Sequence, residues 1–497
     1  VNSARTRGVL LGGAFVLACG ARPPEPDPQV TQPAVAASDE PTVADEPTDC
    51  PATGVATDPL PGTRPEHEQL DYWLARTAAV ADLDRPLFSP AELAAFNARI
   101  GRRDIFGASA RADLLAPIDP ERLAADLNTR LGYLRGKFES GAYVDGDGNR
   151  LSPAQIAALT PTLDARAFVD LPTEVRVALD LIPIRCAPQR EPYYTPSLDP
   201  AFDRNLCSMA RPQEPVQLLR PWGDGLALAR TTYVMGWIDL GRAALSPPLD
   251  PPAARRFLDG PFLRAGGQGF ELSLGTGRTA PIPFAARLPL AGRDGEVLLA
   301  SDAGVEARPV DLAHVAPTTR PLTRRAVLTE AFSYLHAPYG WGGYEGGRDC
   351  SRFLMDMFAG LGLILPRHTS DQAIAGEVIE LAPDLPEAER LRRLDAAHRR
   401  GVVLLHFPGH IMLYLGRDEA GAPMAIHSFA EYLVPCPGRS EGAPEGERET
   451  LLRVSGVHVS DLELGRGTSR TAFIQRISKI TVLAPPSAGP SAPELRP

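Results

Sequence analysis

Aromatic residues make up only 6% of this 497-residue chain, and neither a CxxC nor an HExxH pairing occurs in it. The scarcity of aromatics, set against 51 prolines and 45 glycines, argues for many short strands, turns and linkers over one large core. The missing pairings remove the usual signatures of structural or catalytic zinc, so no metal and no cofactor is expected. Positive charge is also in deficit. The chain carries 51 basic and 61 acidic residues, a net charge of −10, which argues against nucleic acid as a partner. Most of the excess is local, because residues 20–70 hold ten acidic and two basic side chains. The acidity therefore describes a tether and not a binding face. A calcium loop is lacking too: Asp145-Gly146-Asp147-Gly148-Asn149 starts like one, but Arg150 replaces the required glycine and Ile156 the bidentate acid.

What is present begins with an export signal. Arg5 and Arg7 precede an apolar stretch, Gly8 to Ala18, too short to span a bilayer as a permanent helix. Val16-Leu17-Ala18-Cys19 resembles a bacterial lipobox, which implies cleavage before Cys19 and attachment of lipid to it. The expected location is the cell envelope, with the chain held to the membrane by that lipid. Gly20 supplies no inner-membrane retention aspartate, so the outer membrane is favoured where the cell has one. Export permits disulfides. Cys50, Cys186, Cys207 and Cys436 allow three pairings, of which Cys186–Cys207 with Cys50–Cys436 is the first to test.

The length asks for several domains. After the signal at 1–19, residues 20–65 hold eleven prolines among Ala, Thr, Asp and Glu, a composition expected to remain an extended spacer. Residues 66–165 turn helical, with capping boxes at Ser89-Pro90-Ala91-Glu92 and Ser152-Pro153-Ala154-Gln155. Short alternating runs separated by Gly, Pro and Asp turns then suggest one small β-barrel over 166–245 and a second over 246–317. Residues 318–485 read as α+β, and 486–497 as a disordered tail.

Within that last unit the chemistry concentrates. Tyr339-Gly340-Trp341-Gly342-Gly343 and Arg348-Asp349-Cys350-Ser351 run into a helix marked by Phe353, Leu354, Met357, Phe358 and Leu361, which puts Cys350 on its first turn. A helix N-terminus is expected to lower the thiol pKa. Gly409-His410 through Gly416 reads as a strand opening on a histidine, and Ala425-Ile426-His427-Ser428 as a second. A thiol, a base and an orienting group are the parts of a nucleophilic catalyst.

These motifs, with Leu365-Pro366-Arg367 and Ser370-Asp371-Gln372, resemble the NlpC/P60 cysteine peptidases of bacterial cell walls, in the family's order and over about the last third of the chain. The resemblance implies a papain-like α+β fold. The whole arrangement also resembles relatives in which a helical domain and two bacterial SH3-type barrels precede the peptidase. It further implies Cys350 as nucleophile, His410 as general base, His427 as orienter and Tyr339, with the Cys350 amide, as oxyanion donor. The implied reaction is hydrolysis of the γ-D-glutamyl–diamino acid bond in peptidoglycan stem peptides or muropeptides, with a preference for a free N-terminal L-alanine. Asp349 and Ser351 match the motif that reads that ammonium, Tyr233 is the candidate partner from the first barrel, and Ser370 is a further candidate for substrate binding. His336, His368 and His406 lie close to the motifs and could line the cleft. Many relatives have glycine where this chain has Arg352, which is expected either to alter the cleft rim or to be a solvated helix residue. Two other functions stay open: a wall-binding scaffold with a weak peptidase unit, and an amidase or acyltransferase on the same core.

Overall fold

Val402–Phe407 and His410–Arg417 are almost unbroken apolar runs, and a strand of that composition must be covered on both faces. They form the middle of a seven-stranded sheet in the computed structural model, which describes residues 52–484 except 102–103, 106–107, 110–111, 172–173, 268, 274–278, 293–294, 319 and 437–448. The strand order is Thr53–Val55, Glu449–Asp461, Pro423–Pro435, His410–Arg417, Val402–Phe407, Lys479–Leu483, Glu377–Glu380. All neighbours are antiparallel except the first pair. The helix Cys350–Ala359 covers one face, packing Phe353, Leu354 and Met357 with Ile411, Leu413 and Leu415. On the other face the helix Glu387–Arg400 sets Leu394 and Ala397 with Met412 and Tyr414. The unit is α+β, and successive residues of the His410 strand serve opposite cores.

The expected spacer ends earlier than residue 65. Thr53–Val55 adds a parallel strand at the sheet edge against Leu451 to Arg453, and Leu60 is buried in the second core. Edge backbone supplies a ready template for such pairing whatever the local composition. Cys19, Cys50, the export signal, the earlier part of the spacer and the tail lie outside the described residues.

Both capping boxes form: Ser89 and Glu92 exchange side-chain-to-backbone bonds at 3.2 and 2.7 Å, and Ser152 and Gln155 do the same. The helices between 66 and 165 nevertheless share no single core. Trp73, Phe96 and Ile100 join the core of the cysteine helix, whereas Leu127, Leu131 and Phe138 of Pro120–Glu139 pack on Leu219, Leu228 and Trp237 of the next unit. Asp145 makes a polar turn by accepting from the Asp147 and Asn149 amides.

Between the helices and the peptidase-like unit lie β-rich segments. Six strands from Val175–Val177 to Met235–Asp239 form one sheet, and later strands form a three-stranded sheet and two hairpins. Among the described residues neither set closes into a barrel, so the two expected barrels appear as open sheets and hairpins. Cys186 and Cys207 are disulfide-bonded across the first set. Cys436 is disulfide-bonded as well, and its expected partner Cys50 lies outside the described residues. Among the described residues no helix is long and apolar enough to cross a membrane.

Candidate active site

The glycine-rich loop explains where the cysteine ends up. Gly342 and Gly343 have φ of 64° and 94°, a region that admits glycine at little cost. A Cβ on Gly340 would stand 2.3 Å from the Tyr344 carbonyl oxygen. The loop can therefore fold back tightly and present its Gly342 amide to Asp349, which caps the cysteine helix by accepting from the Arg352 amide at 2.8 Å. Cys350 is the first residue of that helix and is 7% exposed.

Its sulfur meets the sheet at the residue after the expected base, where the Ile411 backbone N–H donates to it. His410 opens the central strand, and its Nε2 lies 2.7 Å from His427 Nδ1 on the neighbouring strand. That contact leaves Nδ1 as the ring nitrogen of His410 available to the thiol. The line continues one strand further: His427 Nε2 is 2.8 Å from Ser460 Oγ. Phe407, Phe429 and Phe473 enclose the imidazoles, with Phe429 stacked on His427 at 4.1 Å between centroids.

Burial in this box decides the protonation states. It lowers His410 to about 3, helped by the Arg476 charge, and holds His427 well below the usual imidazole value. The same burial, with Asp349 beside it, pushes the Cys350 thiol up to about 12. The expectation of a thiol acidified by its helix is thus corrected, since loss of water outweighs the helix terminus. At neutral pH the resting pair is a thiol facing a neutral imidazole, so the base must take the proton as attack begins.

The remaining expected site residues divide. Tyr339 is half-buried, couples electrostatically to Asp349 and Cys350, and its hydroxyl makes no hydrogen bond to the described residues, which leaves it free for a ligand oxygen. Asp349 and Ser351 are engaged inside the protein. Arg367 clamps Asp349 through both terminal nitrogens at 3.0 and 2.6 Å, and Ser351 Oγ donates to Asp349 while accepting from Arg367. Burial opposes the Asp349 charge, but Arg367 outweighs it and keeps the carboxyl ionised. Ser370 is exposed, with Asp371 as its 3.5 Å neighbour. The Tyr233 hydroxyl is engaged instead by Glu214, the Met209 carbonyl and Arg352 of the cysteine helix. His406 is buried and held to about 4 by burial and Lys479, while His336 is exposed. His368 is held to about 4 by burial and Arg367.

Arg352 also departs from both expectations. It is 2% exposed and bonds Tyr233 Oη at 2.7 Å, Glu214 at 2.6 Å and Asp356 at 2.8 Å. Arg211 and Arg348 reach the other oxygen of Asp356 at 2.6 and 2.9 Å. The arginine faces neither the cleft rim nor solvent, because Tyr233 and Glu214 of the first β-rich unit close over it while Asp356 holds it from its own helix. Two residues escaped the sequence reading. Arg367 stands in a motif but carried no assigned role, and Ser460 had as its only signal the alternation Val457-His458-Val459-Ser460, which puts it on the face opposite the two valines.

Residues 336–431, which contain Cys350, His410 and His427, match the NlpC/P60 family. The C-terminal unit contains an NlpC/P60 domain. The family is one of cysteine peptidases. Over 110 residues the chain is 32% identical to the peptidoglycan endopeptidase RipB of Mycobacterium tuberculosis, covering 19% of this chain and 40% of that protein. Over 91 residues it is 37% identical to the gamma-D-glutamyl-L-lysine dipeptidyl-peptidase of Bacillus subtilis, covering 18% of this chain and 28% of that protein. Each match spans less than half of the relative's length. The fold reaches further than the NlpC/P60 domain. An NlpC/P60 endopeptidase from Photobacterium damselae subsp. piscicida superposes with a TM-score of 0.61 at 15% identity, over 82% of this chain and 97% of that one.

Proposed function

We propose that this protein is a cell-wall cysteine peptidase that hydrolyses the γ-D-glutamyl–diamino acid bond of peptidoglycan stem peptides. The observation that carries the reading is the line from Cys350 through His410 to His427, with the sulfur and the base joined through consecutive residues of one strand. In the reaction His410 Nδ1 takes the thiol proton as sulfur attacks the carbonyl carbon. Tyr339 and the Cys350 backbone N–H receive the developing oxyanion. The imidazolium then protonates the leaving amine, the thioester remains on Cys350, and a water activated by the same histidine releases the acid. His427 holds the ring of His410 in place and is itself held by Ser460.

A preference for a free N-terminal L-alanine was expected from Asp349, Ser351 and Tyr233. All three are paired within the protein, so no unpaired anion among them is left to demand an ammonium, and cleavage is expected with or without a free L-alanine. The bond named in the Bacillus subtilis relative supports the γ-D-glutamyl specificity. The β-rich units, read as SH3-like wall-binding modules, and lipid at Cys19 would keep the enzyme at the cell envelope. The mass of the mature N-terminal peptide tests the latter.

Digestion of defined muropeptides, with and without a free L-alanine, tests the reaction. The parent should release a γ-D-glutamyl product from both, and Cys350→Ala should lower the rate by roughly 10⁴-fold or more, as loss of a nucleophile does. A Cys350→Ala protein that cuts as fast as its parent removes the proposal. Release of glycan-linked or transferred acyl products would instead identify the amidase or acyltransferase reading.

A further inference from the structure

The motifs that announce zinc in a sequence are absent, yet the fold assembles a donor set from four distant positions. One ligand atom each of Asp58, Glu68, His336 and His458 lies within 4.8 Å of the others. His336 Nε2 is 3.7 Å from Glu68 Oε2, and the two imidazole rings are 5.2 Å apart at 77°. Tetrahedral zinc with bonds of 2.0–2.1 Å needs its ligands about 3.4 Å apart, which modest side-chain rotations supply from this spacing.

Several local features are hard to account for without an ion. The Asp58 and Glu68 carboxyls bring ligand oxygens within 4.8 Å of each other, an arrangement of like charges that a cation would relieve. His458 Nδ1 is buried with no hydrogen-bond partner among the described residues. The His336 amide donates to the Val457 carbonyl at 2.8 Å, which seats it beside His458, and its left-handed backbone at φ 61° is one that histidine adopts more readily than most side chains. A second cluster of the same general make-up, His67 with Asp418 and Glu419, provides the contrast. There the Arg64 guanidinium lies 2.8 Å from His67 and pairs with Glu419, so a cation is already built in. Among the described residues no arginine or lysine bonds Asp58 or Glu68.

We propose that Asp58, Glu68, His336 and His458 bind one divalent transition-metal ion, and that the ion staples the N-terminal segment to the edge of the catalytic sheet. Two imidazoles with two carboxylates suit zinc and its neighbours better than calcium or magnesium, which take oxygen donors. Asp58 and Glu68 belong to the segment that follows the parallel edge strand, whereas His336 precedes the glycine-rich loop and His458 faces His427 across a strand pair. The ion would close a loop of several hundred residues. It would also place a positive charge one strand from the residue that orients His410.

The test is zinc binding by the full chain in a Cys350→Ala background, which removes a thiol that could itself hold zinc with His410. After chelator treatment, calorimetric titration with zinc should give one equivalent per chain, and zinc should raise the unfolding temperature. His336→Asn, whose side chain tolerates the left-handed backbone, should lose both responses, as should Glu68→Gln, with far-UV circular dichroism confirming that each variant folds. Should His336→Asn not fold, Glu68→Gln carries the test. Absence of binding in the Cys350→Ala protein, or an undiminished equivalent in a folded variant, overturns the proposal.

Discussion

On one side the cysteine helix faces the histidine pair, enclosed by Phe407, Phe429 and Phe473; on another its own Arg352 and Asp356 meet Glu214, Tyr233 and Arg211 of the first β-rich unit. Both regions are buried and both are polar. In the first, burial acts without a compensating counter-ion and drives His410 and His427 to the neutral state. In the second, burial opposes the Asp356 charge, but Arg352, Arg211 and Arg348 outweigh it and hold that carboxyl well below its usual range. The same loss of water thus yields a neutral proton acceptor in one place and a fixed ion cluster in the other. What differs is whether the fold supplies opposite charge.

The largest effect that would break this comparison is on the histidine side. His427→Ala should lower kcat by roughly 10²–10⁴-fold with KM little changed, because an unoriented base loses most of its general-base contribution. An equal rise in KM would mean that His427 binds substrate. Next in size, Asp356→Ala leaves Arg352, Arg211 and Arg348 buried without their shared anion and should cost about 3–5 kcal/mol of stability. Denaturant unfolding reads that loss, and kcat per folded molecule should stay near the parent's. A large fall in kcat would join the two regions that the account keeps apart.

Acid separates them further. The folded-state pKa values of His368, His406 and His410, at about 4, 4 and 3, lie below the unfolded value of 6.5. Between those limits the unfolded chain binds more protons, so stability falls as pH drops below about 6.5, at about 1.4 kcal/mol per pH unit for each such histidine. Asp356 acts later: its depressed pKa stabilises the fold above 3.8, and that contribution is lost only as pH falls below this value. Stability measured between pH 7 and 4 should therefore decline through the histidines while the arginine cluster stays intact. Constant stability over that range would show that the imidazoles are not held neutral. The smallest effect is expected for Ser460→Ala, which removes one bond to His427 and should lower kcat about tenfold, the equivalent of about 1.4 kcal/mol.

Cys350, His410 and His427 were legible because each stands in a short contiguous pattern whose helix or strand could be read locally. Ser460 was not, since a lone serine in an alternating strand gains meaning only when register sets it beside His427. Arg352 misled for the same reason in reverse. Charge on a helix usually means solvent, and only the fold brings Glu214, Tyr233 and Asp356 around it. Thr53–Val55 read as spacer because its composition is no different from the preceding residues, whereas its strand is made by the edge it meets. The helices of 66–165 were found with their caps, but which core each would join depended on partners far along the chain. Most strands of the first β-rich set were visible from their alternation, yet Ile182–Arg185, which ends just before Cys186, and Leu206–Ala210, which contains Cys207, were hidden among turn residues.

The most direct test of the central claim is a single-turnover reaction with a defined stem peptide, quenched in acid and mapped by mass spectrometry. The account predicts a transient γ-D-glutamyl acyl adduct on the peptide that contains Cys350, accumulating when water attack is slowed. Turnover that proceeds with no adduct, or with an adduct on any other residue, would contradict it.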